Sequence, residues 1–153
     1  MIHLECDNDE ALIRGLGVAR KNIVHHGGKP RVAKALELAS GSSITGMVDE
    51  DPGSVPPPYL KQFQVDENLG DLGLKRYVHP KTRTWLIEIS PDLEPWLYKA
   101  AQKAGLKPKD YGLPESYKDL HHYPKNYSAR LTEFVKQMAS KGSRHILALQ
   151  KWI

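Results

Sequence analysis

Ile2-His3-Leu4-Glu5-Cys6 alternates apolar and polar side chains, the two-residue period of a strand, and runs into Asp7-Asn8-Asp9, residue types that cap helices. A helix is predicted over residues 9–16, with Leu12, Ile13 and Leu16 on one face and Gly17 as its stop. Residues 23–26 read as a second strand. Gly27-Gly28-Lys29-Pro30 then turns into a second helix, which carries Val32, Ala35, Leu36 and Ala39 at helical spacing. Ile44 to Val48 forms a third apolar run ending in Asp49-Glu50-Asp51. The first third of the chain therefore alternates β-α-β-α-β, the pattern of a parallel sheet flanked by helices in an α/β fold.

Pro52-Gly53 and Pro56-Pro57-Pro58 break that alternation with a stiff loop. Residues 74–78 and 84–89 flank His79-Pro80-Lys81-Thr82 and predict a hairpin, placed as an antiparallel addition to the edge of the sheet. Ser90-Pro91 is a helix start, and Leu93, Trp96, Leu97, Ala100, Ala101 and Ala104 keep helical spacing up to Gly105. Residues 107–126 show no clean period and read as irregular. Leu131, Phe134, Val135 and Met138 mark a helix opening near Ser128, and a last one is expected over 145–153.

The length of 153 residues suits one domain with a real core, read as an α/β domain over 1–106 with an irregular segment and C-terminal helices, 107–153, packed on it. An apolar fraction of 40% and a charged fraction of 26% are those of a globular chain and exclude a disordered or fibrous class. The net charge of +4 favours anionic partners only mildly. One cysteine, charged residues from Glu5 onward where a leader would be apolar, and no membrane-length apolar run lead to the expectation of a cytoplasmic protein that does not enter membranes.

In an open parallel sheet, functional groups gather at the carboxyl ends of the strands. Glu5 ends the first predicted strand, Asp49 and Asp51 the third, so the three converge if those strands are neighbours. Like charges so close need a cation, and hard carboxylate oxygens suit magnesium or manganese held together with substrate phosphates. Asp49 and Asp51, two residues apart on extended chain, can point to one side. The bland alternative for both is a turn before Pro52-Gly53. Asp9 either joins Glu5 at a metal or favours the helix N-terminus. Gly27, Gly28 and Lys29 read equally as a phosphate cradle or as an ordinary strand-to-helix turn. Seven histidines lack the spacing of a zinc site. Lys75, Arg76, Lys81 and Arg83, interleaved with Tyr77 and Trp85, either track a nucleic-acid backbone or form a solvated hairpin face.

Leu4-Glu5-Cys6-Asp7-Asn8-Asp9-Glu10, His26-Gly27-Gly28-Lys29 and Gly46-Met47-Val48-Asp49-Glu50-Asp51 together resemble the Toprim domain of topoisomerases, bacterial primases, recombination mediators, RNA-maturing nucleases and overcoming-lysogenization-defect nucleases. The resemblance implies a magnesium-dependent phosphodiester-cleaving protein acting on nucleic acid, with Glu5, Asp49 and Asp51 as metal-binding, catalytic residues. Asp9 resembles the acid of the nuclease branch, and Glu88 or Glu94 is similar in place to an acid completing a second metal site. The family usually has glycine where this chain has Cys6. The other functions in view are a non-catalytic module binding nucleic-acid or nucleotide phosphates, and a subunit that works with a partner protein.

Overall fold

The computed structural model describes residues 1–41 and 43–153. The fold is α/β, with a six-stranded, mostly parallel sheet. Its strands are β1 (Ile2–Leu4), β2 (Ile23–His25), β3 (Thr45–Asp49), β4 (Gln64–Leu69), β5 (Leu74–Val78) and β6 (Trp85–Ile89). Their order is β2-β1-β3-β6-β5-β4. β1 pairs in parallel with both β2 and β3, so the strands ending in Glu5 and Asp49 are neighbours. The helices are α1 (Asp7–Gly15), α2 (Lys29–Leu38), α3 (Leu93–Lys103), α4 (Tyr117–His122), α5 (Pro124–Ser140) and α6 (Arg144–Gln150).

The hairpin forms as predicted, with Leu74 opposite Ile89 and Val78 opposite Trp85. It joins the sheet through β6, which pairs in parallel with β3 and extends the parallel part of the sheet to four strands. The β6–β5 and β5–β4 pairings are antiparallel and make the antiparallel edge that the sequence predicts. The connection of about 35 residues between β3 and β6 contains β4 and β5 and lets the chain return parallel, and β4 takes the outermost position. That strand is polar and exposed along most of its length, with a bulge at Val65/Glu67, features that blunt an edge against further pairing. Arg76 on β5 bonds Asp66 of β4 at 2.6 Å and lies over the Trp85 ring at 4.9 Å, so this member of the basic hairpin cluster is engaged within the sheet.

The segment read as irregular holds a short 3-10 turn, Pro108–Tyr111, and then α4, whose first turn is capped by the Ser116 hydroxyl accepting from the Lys118 N–H at 3.2 Å. α5 opens at Pro124 rather than near Ser128, since proline is well suited to a first helical turn, where no N–H partner is required.

Contacts divide the chain into two compact units. The first joins residues 1–6 to 21–92 and contains the whole sheet with α2; the second joins 7–20 to 93–153 and is helical. In the first, α2 lies close on β3: a Cβ built on Gly46 would stand 2.7 Å from Leu36 Cδ1. Val32, Ala33, Leu36, Val48, Leu60, Phe63 and Leu86 form the core on that face. In the second, α1 packs on α5 around Leu12, Ile13, Leu131, Phe134 and Val135, all fully buried. Among the described residues no helix is long and apolar enough to cross a membrane.

Candidate metal centre at the strand ends

The site lies in the sheet unit, at the carboxyl ends of β1, β3 and β6. Apolar runs carry these strands through the core, and the first polar residues beyond them emerge side by side because parallel strands end together. Asp49 closes β3 opposite Ile89, the last residue of β6. Backbone bonds then knit the two following loops: the Glu50 N–H donates to Ile89 O at 2.8 Å and the Asp51 N–H to Pro91 O at 3.2 Å. The Ser90 hydroxyl adds a hydrogen bond to the Glu50 carboxylate. This knitting brings Asp49, Asp51 and Asp92 together, each half-buried and offering an oxygen, with the three oxygens within 4.8 Å of one another.

Asp51 has φ 51°, left-handed backbone that a non-glycine residue adopts at a cost of order 1–3 kcal/mol. Ser54 holds it there, donating to Asp51 O from both its N–H, at 3.0 Å, and its hydroxyl, at 2.8 Å.

Glu5 stands beside this trio in a supporting position. Its Oε1 accepts the Asp49 N–H at 2.8 Å, so it holds the end of β3. Burial pushes the Glu5 carboxyl above its ordinary pKa, with Asp51 acting in the same direction; the backbone N–H groups of Asp49 and Lys29 and the Lys29 ammonium offset part of this.

Gly27 and Gly28 take positive φ, 75° and 140°, and Gly28 caps α2, so the turn needs glycine. Buried Lys29 reaches Asp51 Oδ2 at 2.7 Å and Glu50 O at 3.2 Å. The turn expected to face a phosphate thus directs its N–H and its ammonium at Glu5 and Asp51. Asp9 lies in the first turn of α1, buried, in the helical unit. Neither glutamate weighed as an additional ligand joins the trio: Glu88 accepts from the Tyr77 hydroxyl at 2.9 Å, and Glu94, in the helical unit, from Asn8 at 2.8 Å.

Asp92 is the residue that sequence reasoning missed. The strand-end rule that picked out Glu5 and Asp49 would have found it had β6 been recognised as a fourth parallel strand. Instead, Ser90-Pro91 drew attention as a helix start.

Three carboxylates are a hard-oxygen donor set. An octahedral ion with bonds of about 2.1 Å separates its ligand oxygens by about 3–4 Å, so small side-chain rotations within the 4.8 Å envelope meet that geometry. No histidine or cysteine belongs to the cluster, which disfavours a zinc-type set.

Three histidines border the site. His3 Nδ1 and His26 Nε2 are 2.8 Å apart with the rings stacked, and the His25 Nε2–H donates to Glu5 O at 3.1 Å. The His3–His26 hydrogen bond needs one bare nitrogen. Burial chiefly, with His26 nearby, lowers the pKa of His3; burial chiefly, with His25 and Arg31, lowers that of His26. The fold thus favours both rings neutral, and the unfolded chain takes up protons first as pH falls below 6.5. The stability this contributes is present above pH 6.5 and is lost as pH falls through the folded values. Urea midpoints are expected to drop between pH 7.5 and pH 5, and to drop less in the double variant His3→Gln/His26→Gln. Equal slopes would show that the pair has no such role.

No protein-family model matches the chain, and neither a curated protein nor a solved structure gives a significant match.

Proposed function

We propose that this chain is a magnesium-dependent, phosphodiester-cleaving protein of the Toprim kind that acts on nucleic acid. The observation that carries the reading is the convergence of Asp49, Asp51 and Asp92 at the ends of adjacent parallel strands, with Glu5 bonded to the backbone of Asp49. Asp49, Asp51 and Asp92 would hold the ion, magnesium or manganese. Bound there, it would neutralise phosphate charge and make a water molecule more acidic. Glu5 positions Asp49 through its backbone, and Lys29 orients Asp51. The net charge of +4 assists encounter with a polyanion.

A second reading, a non-catalytic module that binds nucleic-acid phosphates, is favoured by the Lys29–Asp51 contact, in which a resident ammonium competes with a metal for one ligand. Incubation of the protein with single-stranded and plasmid DNA and with RNA, in magnesium, manganese or EDTA, separates the two. Cleavage that needs the metal is expected. Nucleic-acid binding without cleavage in either metal would leave the non-catalytic reading in its place.

A further inference from the structure

Beside the carboxylate cluster, on the face of the sheet that α2 covers, lies a cavity of about 330 Å³. Its apolar walls include Val48, Leu60, Phe63 and Leu86, and its polar groups are Lys29, Lys61, Glu50, Glu88 and the Tyr77 hydroxyl. The volume is at the small end of ligand cavities, roughly 300–1,000 Å³, enough for one ring system and too little for a base pair. Lys29 is already paired with Asp51, which leaves Lys61 against Glu50 and Glu88 in the lining, a set that does not favour an anion.

The two carboxylates supply hydrogen-bond acceptors, and the Lys61 ammonium supplies a donor. Tyr77 donates its O–H to Glu88 Oε1, and Ser90 donates to Glu50 Oε2, leaving the second oxygen of each carboxylate without a hydrogen-bond partner among the described residues. Burial, with Glu88 and Glu50 nearby, pushes the Tyr77 hydroxyl well above its ordinary pKa, so it keeps the proton it donates. A neutral, flat ligand whose edge carries adjacent N–H donors matches such walls and acceptors. Among the bases of nucleic acids, guanine best fits, presenting a ring N–H beside an exocyclic amine, whereas uracil has no exocyclic amine.

We propose that this cavity is a base pocket that takes a single unpaired guanine from the strand whose phosphate lies at Asp49, Asp51 and Asp92. The inference rests on the phosphate-directed reading of that site and adds a substrate class to it: single-stranded or locally opened nucleic acid, contacted next to a guanine. A base in such a pocket is held by its edge and by apolar contact with its faces, as extruded bases are. Glu50 joins the two sites covalently, since it lines the cavity and stands between Asp49 and Asp51 in the chain.

Guanosine and uridine carry no phosphate and probe the pocket independently of the metal. Guanosine is expected to bind at least about tenfold more tightly than uridine by calorimetry or chemical-shift titration, and Glu88→Gln to remove most of the difference. Pro56→Trp, at an exposed position on the cavity lining, is expected to block guanosine without disturbing the core. Equal binding of the two nucleosides, no binding of either, or guanosine binding unchanged by Pro56→Trp would overturn the pocket. Manganese binding, measured by electron paramagnetic resonance on the same samples, reports separately on the carboxylate site. Its loss with guanosine preference retained would overturn the phosphate-directed reading alone.

Discussion

Asp49→Asn is expected to abolish manganese binding at micromolar concentrations and to reduce metal-dependent cleavage by on the order of 10³-fold, while the protein stays folded. Asp49 closes β3, and its carboxylate oxygen lies within 4.8 Å of those of both Asp51 and Asp92, so its loss leaves two of the three ligands. Loss of an outer partner of a metal ligand costs roughly 10–100-fold, and loss of a ligand should cost more. Folding should survive, because the contact that holds the end of β3 is made by the Asp49 backbone N–H to Glu5, and asparagine keeps it. Glu5→Gln should be milder, since a glutamine oxygen still accepts that N–H. Manganese titration and cleavage assays on the two variants check the ranking. A larger loss from Glu5→Gln than from Asp49→Asn would mean that Glu5 binds the ion directly, as the resemblance implies.

Gly15→Leu should lower the stability of the helical unit by about 3 kcal/mol or more, the upper part of the range for overpacking. Gly15 ends α1 where it meets α5, and a Cβ there would lie 2.6 Å from Val135 Cβ and 2.9 Å from Thr132 O. Alanine ordinarily stabilises a helix relative to glycine by about 0.5–1 kcal/mol. At this position the clash with backbone outweighs that gain, so Gly15→Ala should already destabilise. For a chain of this size, about 3 kcal/mol lowers Tm by about 6–12 °C. Thermal and urea unfolding of both variants give the test. A stabilising Gly15→Ala would show that α1 and α5 are not so closely approached.

Much of the site was legible because it sits where apolar runs stop. Ile2, Leu4, Met47 and Val48 are core residues, and the carboxylates that follow them mark strand ends whatever their neighbours. Asp92 was not legible, because β6 reads locally as half of a hairpin. Its pairing with β3 is a contact across two intervening strands that no local pattern encodes. β4 was hidden for a different reason: Gln64-Val65-Asp66-Glu67-Asn68 is an edge strand with little apolar burial, so it lacks the alternation that betrays a strand. α4 and the first turn of α5 escaped notice because their tyrosines, lysines and histidines follow no clear apolar stripe. Lys29 shows a third limit. A lysine after Gly-Gly reads as a phosphate ligand, yet its side chain is long enough to reach Asp51, and spacing in the chain does not reveal which anion it meets.

The division of the chain has a consequence for its synthesis. Neither compact unit is one continuous stretch: α1 belongs with helices that follow the sheet in the chain, and the sheet is complete by residue 92. On the ribosome, α1 can therefore pack on α5 only after the sheet segments have been made. A nascent chain halted just after residue 92 should hold the sheet segments while α1 remains a target for chaperones, and a ribosomal pause before α5 would lengthen that exposure.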